Sequence, residues 1–193
     1  MGKFGRSDDA SNETWGSRHK FEHWYRDNSV YFITARCRDR FPAFASDLAK
    51  AVFWERFEKA IRIAEFQPWV TSFLDNHYHT VGYLSRGEQL KTMMHSLHGS
   101  VAKLVNDLLE VRLVPFWSDS RRKNYMDGCL RDESQGRKTY RYVLTQSVRH
   151  GIVADWREYP HTRVCVGLEE AIRLAINRRA FMEGVPYKRY EQR

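Results

Sequence analysis

The triplet His77-Tyr78-His79 and the run Tyr142-Val143-Leu144-Thr145-Gln146 hold the residue types best suited to chemistry in this chain. Two imidazoles one residue apart on a strand point to the same face, because strand side chains alternate with a period of two. One divalent ion can then take a nitrogen from each. Two histidines leave several coordination positions open, as a catalytic ion requires. Tyr142 and Gln146 lie four apart in a segment that reads as helix, so a phenol and an amide share one helical face. Arg149 follows on that face, where it can meet a phosphate, and Gln146 can offer its carbonyl oxygen to the ion. Phenols ionise near pH 10 in water, about three units above neutrality. A phenol therefore attacks a phosphodiester only where a metal polarises the phosphate and the leaving oxygen is stabilised. The product of such an attack is a phosphotyrosine bond, which keeps the bond energy for later rejoining.

Each feature also has an ordinary reading. By spacing alone, the triplet is equally a pair of half-buried strand histidines, and Tyr142 beside Val143, taken without the triplet, reads more readily as a core tyrosine than as a nucleophile. His95 and His98 are three apart on a predicted helix, beside Met94 and Leu97 and with no third ligand nearby, so an ordinary structural role is expected there, with a surface or DNA-facing role second. Tyr140 sits about two hundred degrees round the helix from Tyr142 and cannot join its face. Tyr125 is the fallback nucleophile.

The elements that must position these groups follow from patterning. Val30 to Cys37 reads as a first strand, with Tyr31, Ile33, Ala35 and Cys37 on one face. Ser46 caps a helix from Asp47 to about Phe66, with the stripe Ala49, Phe53, Phe57 and Ile61. Trp69 to Leu74 is a second strand, Asp75-Asn76 a break or bulge, and His77 to Leu84 a third strand. Ser85 to Glu88 reads as a capping box opening a helix to about Glu110, with Leu90, Met94, Leu97, Val101, Leu104 and Leu108 inward. Leu113–Trp117 and Asn124–Leu130 read as short strands or a hairpin, with a turn at Asp127-Gly128 as the alternative. Asp132 and Gln135 open a helix predicted to run unbroken to His150, closed by Gly151. A last helix spans Leu168 to Glu183. The order β-α-β-β-α-β predicts an α+β chain with a ferredoxin-like core, an antiparallel sheet and additional C-terminal helices. The expected organisation is a polar arm over 1–27, a catalytic domain over 28–165, and a terminal helix with a basic tail over 166–193.

Composition narrows the partner. The 193 residues carry a net charge of +8, and mean hydropathy is −0.66. Arg121-Arg122-Lys123, Arg137-Lys138, Arg141, Arg149, Arg178-Arg179 and Lys188-Arg189 concentrate the excess. Such a field favours a polyanion, and aromatic residues near the cations suit single strands, whose bases stack on rings. No apolar run approaches a membrane span, and the polar N-terminus predicts no signal peptide. Cys37, Cys129 and Cys165 lack paired spacing and read as three buried thiols in a reducing compartment.

The triplet, preceded by Phe73-Leu74-Asp75-Asn76, resembles the HUH motif, in which U is a bulky apolar residue. The later run from Tyr142 through Gly151-Ile152-Val153, with Trp156-Arg157-Glu158-Tyr159-Pro160 behind it, resembles the tyrosine helix of single-tyrosine HUH transposases, especially REP-associated ones. Asp75 stands where relatives often have proline, and Gln146-Ser147 where they have Asn-Pro; glutamine there is similar to the insertion-sequence branch. The resemblance implies a ferredoxin-like core with the tyrosine helix packed over the sheet. It implies Tyr142 as nucleophile, His77, His79 and Gln146 as metal ligands, and Arg121, Arg122, Lys123 and Arg149 as phosphate contacts. The implied cofactor is a divalent metal, Mg or Mn, although imidazole suits manganese, zinc, cobalt or nickel better than magnesium.

The expected activity is that of a transposase-like single-stranded DNA endonuclease and strand transferase. It would cut near hairpins and leave a 5′-phosphotyrosine and a free 3′-hydroxyl. The expected setting is the nucleoid, in the cytoplasm, with either a homodimer or a monomer as the working unit. Two rivals stand beside it. One is a catalytically silent DNA-binding protein of the same fold. The other is a metal-dependent hydrolase using water, which needs a carboxylate near the histidines, and Asp75 is the one close in sequence.

Overall fold

Strand β1 (Ser29–Arg36) alternates, with Tyr31, Ile33 and Ala35 buried on one face and Phe32, Thr34 and Arg36 half-buried on the other. A computed structural model of the chain describes residues 25–118 and 124–182. After β1 come α1 (Asp47–Ala64), β2 (Gln67–Phe73), β3 (His77–Leu84), α2 (Gln89–Asn106) and β4 (Met126–Cys129). Then follow α3 (Glu133–Leu144), the short α4 (Gln146–Arg149), β5 (Thr162–Val164) and α5 (Leu168–Arg178). The sheet order is β4-β1-β3-β2-β5, and every neighbouring pair is antiparallel. The first six elements form the predicted ferredoxin-like α+β plan, with β5 as an added edge and the extra helices after it.

Two cores lie on opposite faces of the sheet. Against α1 and α2 pack Tyr31, Ile33, Phe73, Tyr78 and Leu84 with Phe53, Phe57, Met94 and Leu97. Phe53 and Phe73 stack at 3.7 Å between ring centroids. Against α3 and α5 pack Val30, Val70 and Val81 with Tyr140, Val143, Ala171 and Ala175. A register shift between Pro68 and Val70 lets Trp69 and Val70 both enter this second core. The sheet is thus covered on both sides, and β3 is buried along nearly its whole length, each large apolar side chain contributing about 1.5–3 kcal/mol by leaving water.

Several local expectations change. Helix α1 stops at Ala64, where Glu65 turns left-handed (φ 56°), so Phe66 is free to enter the first core and β2 begins at Gln67. Ser85 and Glu88 form no capping box: Glu88 is already helical and has no side-chain cap. The start of α2 is held instead by Asp27, whose carboxylate accepts from Gly87 N at 2.8 Å. A side chain at Gly87 would meet the backbone of Arg26 at 2.3 Å. Helix α2 ends at Asn106, and Leu108 is exposed while Val105 is buried.

The 113–117 segment makes no hairpin with β4. Trp117 bridges to Cys37, and β4 runs through Asp127-Gly128 against β1. The last helix ends at Arg178, because Arg179 is left-handed. Of the three thiols Cys37 is buried, Cys129 partly so, and Cys165 is exposed.

The most consequential change is in the tyrosine helix. It is two helices, α3 and α4, broken at Thr145 (φ −97°, ψ 14°). The Thr145 hydroxyl bonds back to the Arg141 carbonyl at 2.9 Å. The Gln146 amide does the same to the Tyr142 carbonyl at 2.8 Å. Side chains that bond the preceding turn in this way bend helices.

Candidate active site

Antiparallel register sets the floor of the site. His77 lies opposite Arg36 and His79 opposite Thr34, so both imidazoles, Arg36 and Phe32 share the sheet face under α3. The two imidazoles stand 5.0 Å apart between centroids, nearly perpendicular. Phe32 stacks on His79 at 5.8 Å. His150, just after α4, brings a third imidazole to 5.0 Å from His77.

Tyr142 comes down on this floor from the end of α3. Its ring stands edge-on to His79 at 5.3 Å and to Phe32 at 6.1 Å. The residue is 37% exposed, so its phenol is neither locked in the core nor free of the site. The Arg149 guanidinium sits 5.2 Å from the centre of the Tyr142 ring, a cation–π distance. Gln146 is buried, its nitrogen end holding the Tyr142 backbone carbonyl.

Burial pushes the His77 ring down to about 4, and Arg36 and His150 act in the same direction. His79 is also held well below the ordinary histidine range, by burial first and then by His77, Arg36 and His150. Both rings are therefore neutral at pH 7, the form that binds metal. His77 Nε2 and His79 Nδ1 are buried and have no hydrogen-bond partner among the described residues. Buried polar nitrogens left open are rare, and a divalent cation would satisfy both. The donor set fits such an ion. Among the described residues no three His, Cys, Asp or Glu side chains form a metal-sized group, so a third ligand drawn from them would be of another type.

No protein-family model and no curated protein sequence matches the chain. Among solved structures it is similar to a REP-associated tyrosine transposase bound to a REP hairpin, at 16% identity and a TM-score of 0.62, over 75% of this chain and 81% of that one. The chain has the fold of a REP-associated tyrosine transposase. A proposed transposase of Deinococcus radiodurans R1 aligns over 68% of this chain and 98% of that one, at 9% identity and a TM-score of 0.41.

On this transposase fold, the residues singled out from sequence divide clearly. His77, His79, Tyr142 and Arg149 come together, and Gln146 is buried with its side-chain nitrogen on the Tyr142 backbone carbonyl. Arg121, Arg122 and Lys123 lie outside the described residues. Arg137 is held by Glu133 and Glu169, so the basic pair Arg137-Lys138 presents less free charge than its sequence suggests.

Tyr125, the fallback nucleophile, packs into the core on the opposite face of the sheet. Asp75, the carboxylate needed for a water-using hydrolase, pairs with Lys50 of α1 at 2.7 Å. Among the described residues, the charges acting on the two site imidazoles are Arg36 and the neighbouring histidines, not carboxylates. The hydrolase expectation therefore finds no base beside the imidazoles among the described residues.

His95 is exposed and His98 buried, so they form no ligand pair. His98 stacks on Trp117 at 4.4 Å, and its Nε2 meets the Tyr78 hydroxyl at 3.0 Å.

Four site residues escape the sequence reading. Arg36 and Phe32 reach the histidines only through the β1–β3 register, which no local pattern announces. His150 reads as a complement to a helix end. Asn76 reads as a bulge.

Proposed function

We propose that the chain is a single-strand DNA endonuclease and strand transferase of the transposase type, acting beside DNA hairpins through a 5′-phosphotyrosine link. The observation that carries this reading is one cluster: a half-exposed phenol edge-on to an imidazole, with two buried ring nitrogens that lack a partner among the described residues.

His77, His79 and Gln146 would hold a divalent ion, magnesium or manganese. Bound there, the ion supplies positive charge beside the scissile phosphate. The chain does the rest. The Tyr142 oxygen attacks phosphorus in line, and the bond from phosphorus to the 3′-oxygen breaks. The phenolic proton passes to solvent, and the leaving oxygen takes one up as a 3′-hydroxyl. The 5′-phosphate stays on Tyr142 until a second 3′-hydroxyl attacks it and frees the tyrosine. Arg149 and Arg36 flank the phenol and the imidazoles, where they can hold the phosphate's charge.

A hairpin substrate is favoured by the hairpin bound to the similar transposase and by the net charge of +8. Among the described residues no helix is long and apolar enough to cross a membrane. The test is incubation of the full chain with manganese and an end-labelled DNA hairpin carrying single-stranded flanks. A protein–DNA adduct that survives denaturation supports the proposal. Salt-sensitive binding without an adduct favours the silent DNA-binding alternative.

A further inference from the structure

We infer that Asn76 is a positioning residue that locks His77 in a single tautomer and so decides which of its nitrogens is left to bind a divalent ion. The inference rests on the reading of His77 as a metal ligand. It starts from a backbone group. Asn76 Nδ2 lies 2.9 Å from the carbonyl oxygen of Arg40. A carbonyl oxygen only accepts, so the amide end facing it must be the nitrogen. The other end, the carbonyl oxygen Oδ1, then meets His77 Nδ1. That oxygen also only accepts, so Nδ1 must carry the hydrogen. A neutral imidazole has one N–H, and Nε2 is left with the lone pair. Nε2 is buried and has no partner among the described residues.

The amide orientation is thus set by a group whose role is fixed, which removes the usual ambiguity of asparagine and histidine assignments. Metal-bound histidines commonly donate their second N–H to a carbonyl in this manner.

The same residue ties down the turn after β1. Its backbone oxygen accepts from Cys37 N at 2.8 Å. Its amide holds Arg40, which with Asp39 adopts a left-handed conformation (φ 58° and 55°) that is unfavourable for residues with a side chain. Two roles are therefore combined in Asn76, and they separate by substitution. Aspartate keeps an acceptor for His77 Nδ1 and loses the donor to Arg40. Alanine loses both.

The experiment is a cobalt(II) titration of the full chain without DNA, followed by the visible spectrum of the bound ion, for the parent, Asn76→Asp and Asn76→Ala. Asn76→Ala is expected to weaken cobalt binding about 10- to 100-fold, while Asn76→Asp stays within about threefold of the parent. Equal losses in both variants, or no loss in Asn76→Ala, overturn the inference. The second readout needs no variant of Asn76: 15N NMR of the metal-free parent, with the His77 signals assigned by their loss in His77→Gln. A proton on Nδ1 supports the inference and a proton on Nε2 overturns it. A parent that binds no cobalt would remove His77 as a ligand, yet the NMR result would still judge the tautomer. Neither readout depends on DNA cleavage, so failure here and failure of the proposed function remain distinct.

Discussion

The Tyr142 ring meets the His79 imidazole edge-on, 5.3 Å between centroids and 75° between planes, within one chain. A single protomer therefore assembles phenol and imidazoles together. Mixing Tyr142→Phe with His77→Ala is expected to restore no adduct formation, because each protomer would lack one half of its own site. Adduct formation in the mixture, absent from either variant alone, would show instead that tyrosine and histidines come from different chains.

The Arg149 guanidinium lies 5.2 Å from the centre of the Tyr142 ring, where it can meet a phosphate. Arg149→Ala is expected to slow adduct formation by roughly tenfold or more, the loss of about 1.4 kcal/mol or more of charge-assisted contact. It should also lower the salt slope of single-strand binding by about one unit. Electrophoretic shifts at several salt concentrations measure the slope. An unchanged slope would place Arg149 outside the phosphate path.

His98 predicts an acid-sensitive fold. Burial lowers it to about 3, against an ordinary value of 6.5. The neutral ring is therefore the form the fold keeps. Its contribution is complete above pH 6.5 and is lost as pH falls from there toward about 3, at a limiting rate of about 1.4 kcal/mol per pH unit. His98→Gln, which can still accept from the Tyr78 hydroxyl, should lose stability less steeply below pH 6.5 than the parent. Urea unfolding at pH 7, 6 and 5 provides the comparison, and parallel lines for the two proteins would contradict the assignment.

Gly82 is required by close approach. A Cβ there would stand 2.4 Å from the Phe66 ring and 2.5 Å from the Gln67 carbonyl oxygen. Gly82→Ala is expected to lower stability by about 1–3 kcal/mol, read as a lower urea midpoint with little change in slope. An unchanged midpoint would mean that Phe66 moves aside without cost.

Strand β3 was fully legible, because alternation and a β-rich composition mark His77 to Leu84 and place both histidines on one face. The ferredoxin-like order followed from similar local signals. The break at Thr145 was not legible. Tyr142, Thr145, Gln146 and Arg149 have helical spacing, and only the side-chain bonds from Thr145 and Gln146 to the preceding carbonyls reveal the kink. Arg36 and Asn76 were missed for another reason. Each earns its place through a partner distant in sequence, the β1–β3 register for one and the Arg40 carbonyl for the other. The packing of His98 was legible in its apolar neighbours Met94 and Leu97 on α2, whereas His95 of the same pair is exposed.

The most direct test of the account compares the parent with Tyr142→Phe on one end-labelled hairpin DNA in manganese. The substitution removes a single oxygen from a half-exposed ring and leaves the packing against Phe32 and His79 in place. The account predicts a denaturation-resistant adduct for the parent, none for Tyr142→Phe, and equal DNA binding by both. Equal cleavage of the hairpin by Tyr142→Phe would contradict it.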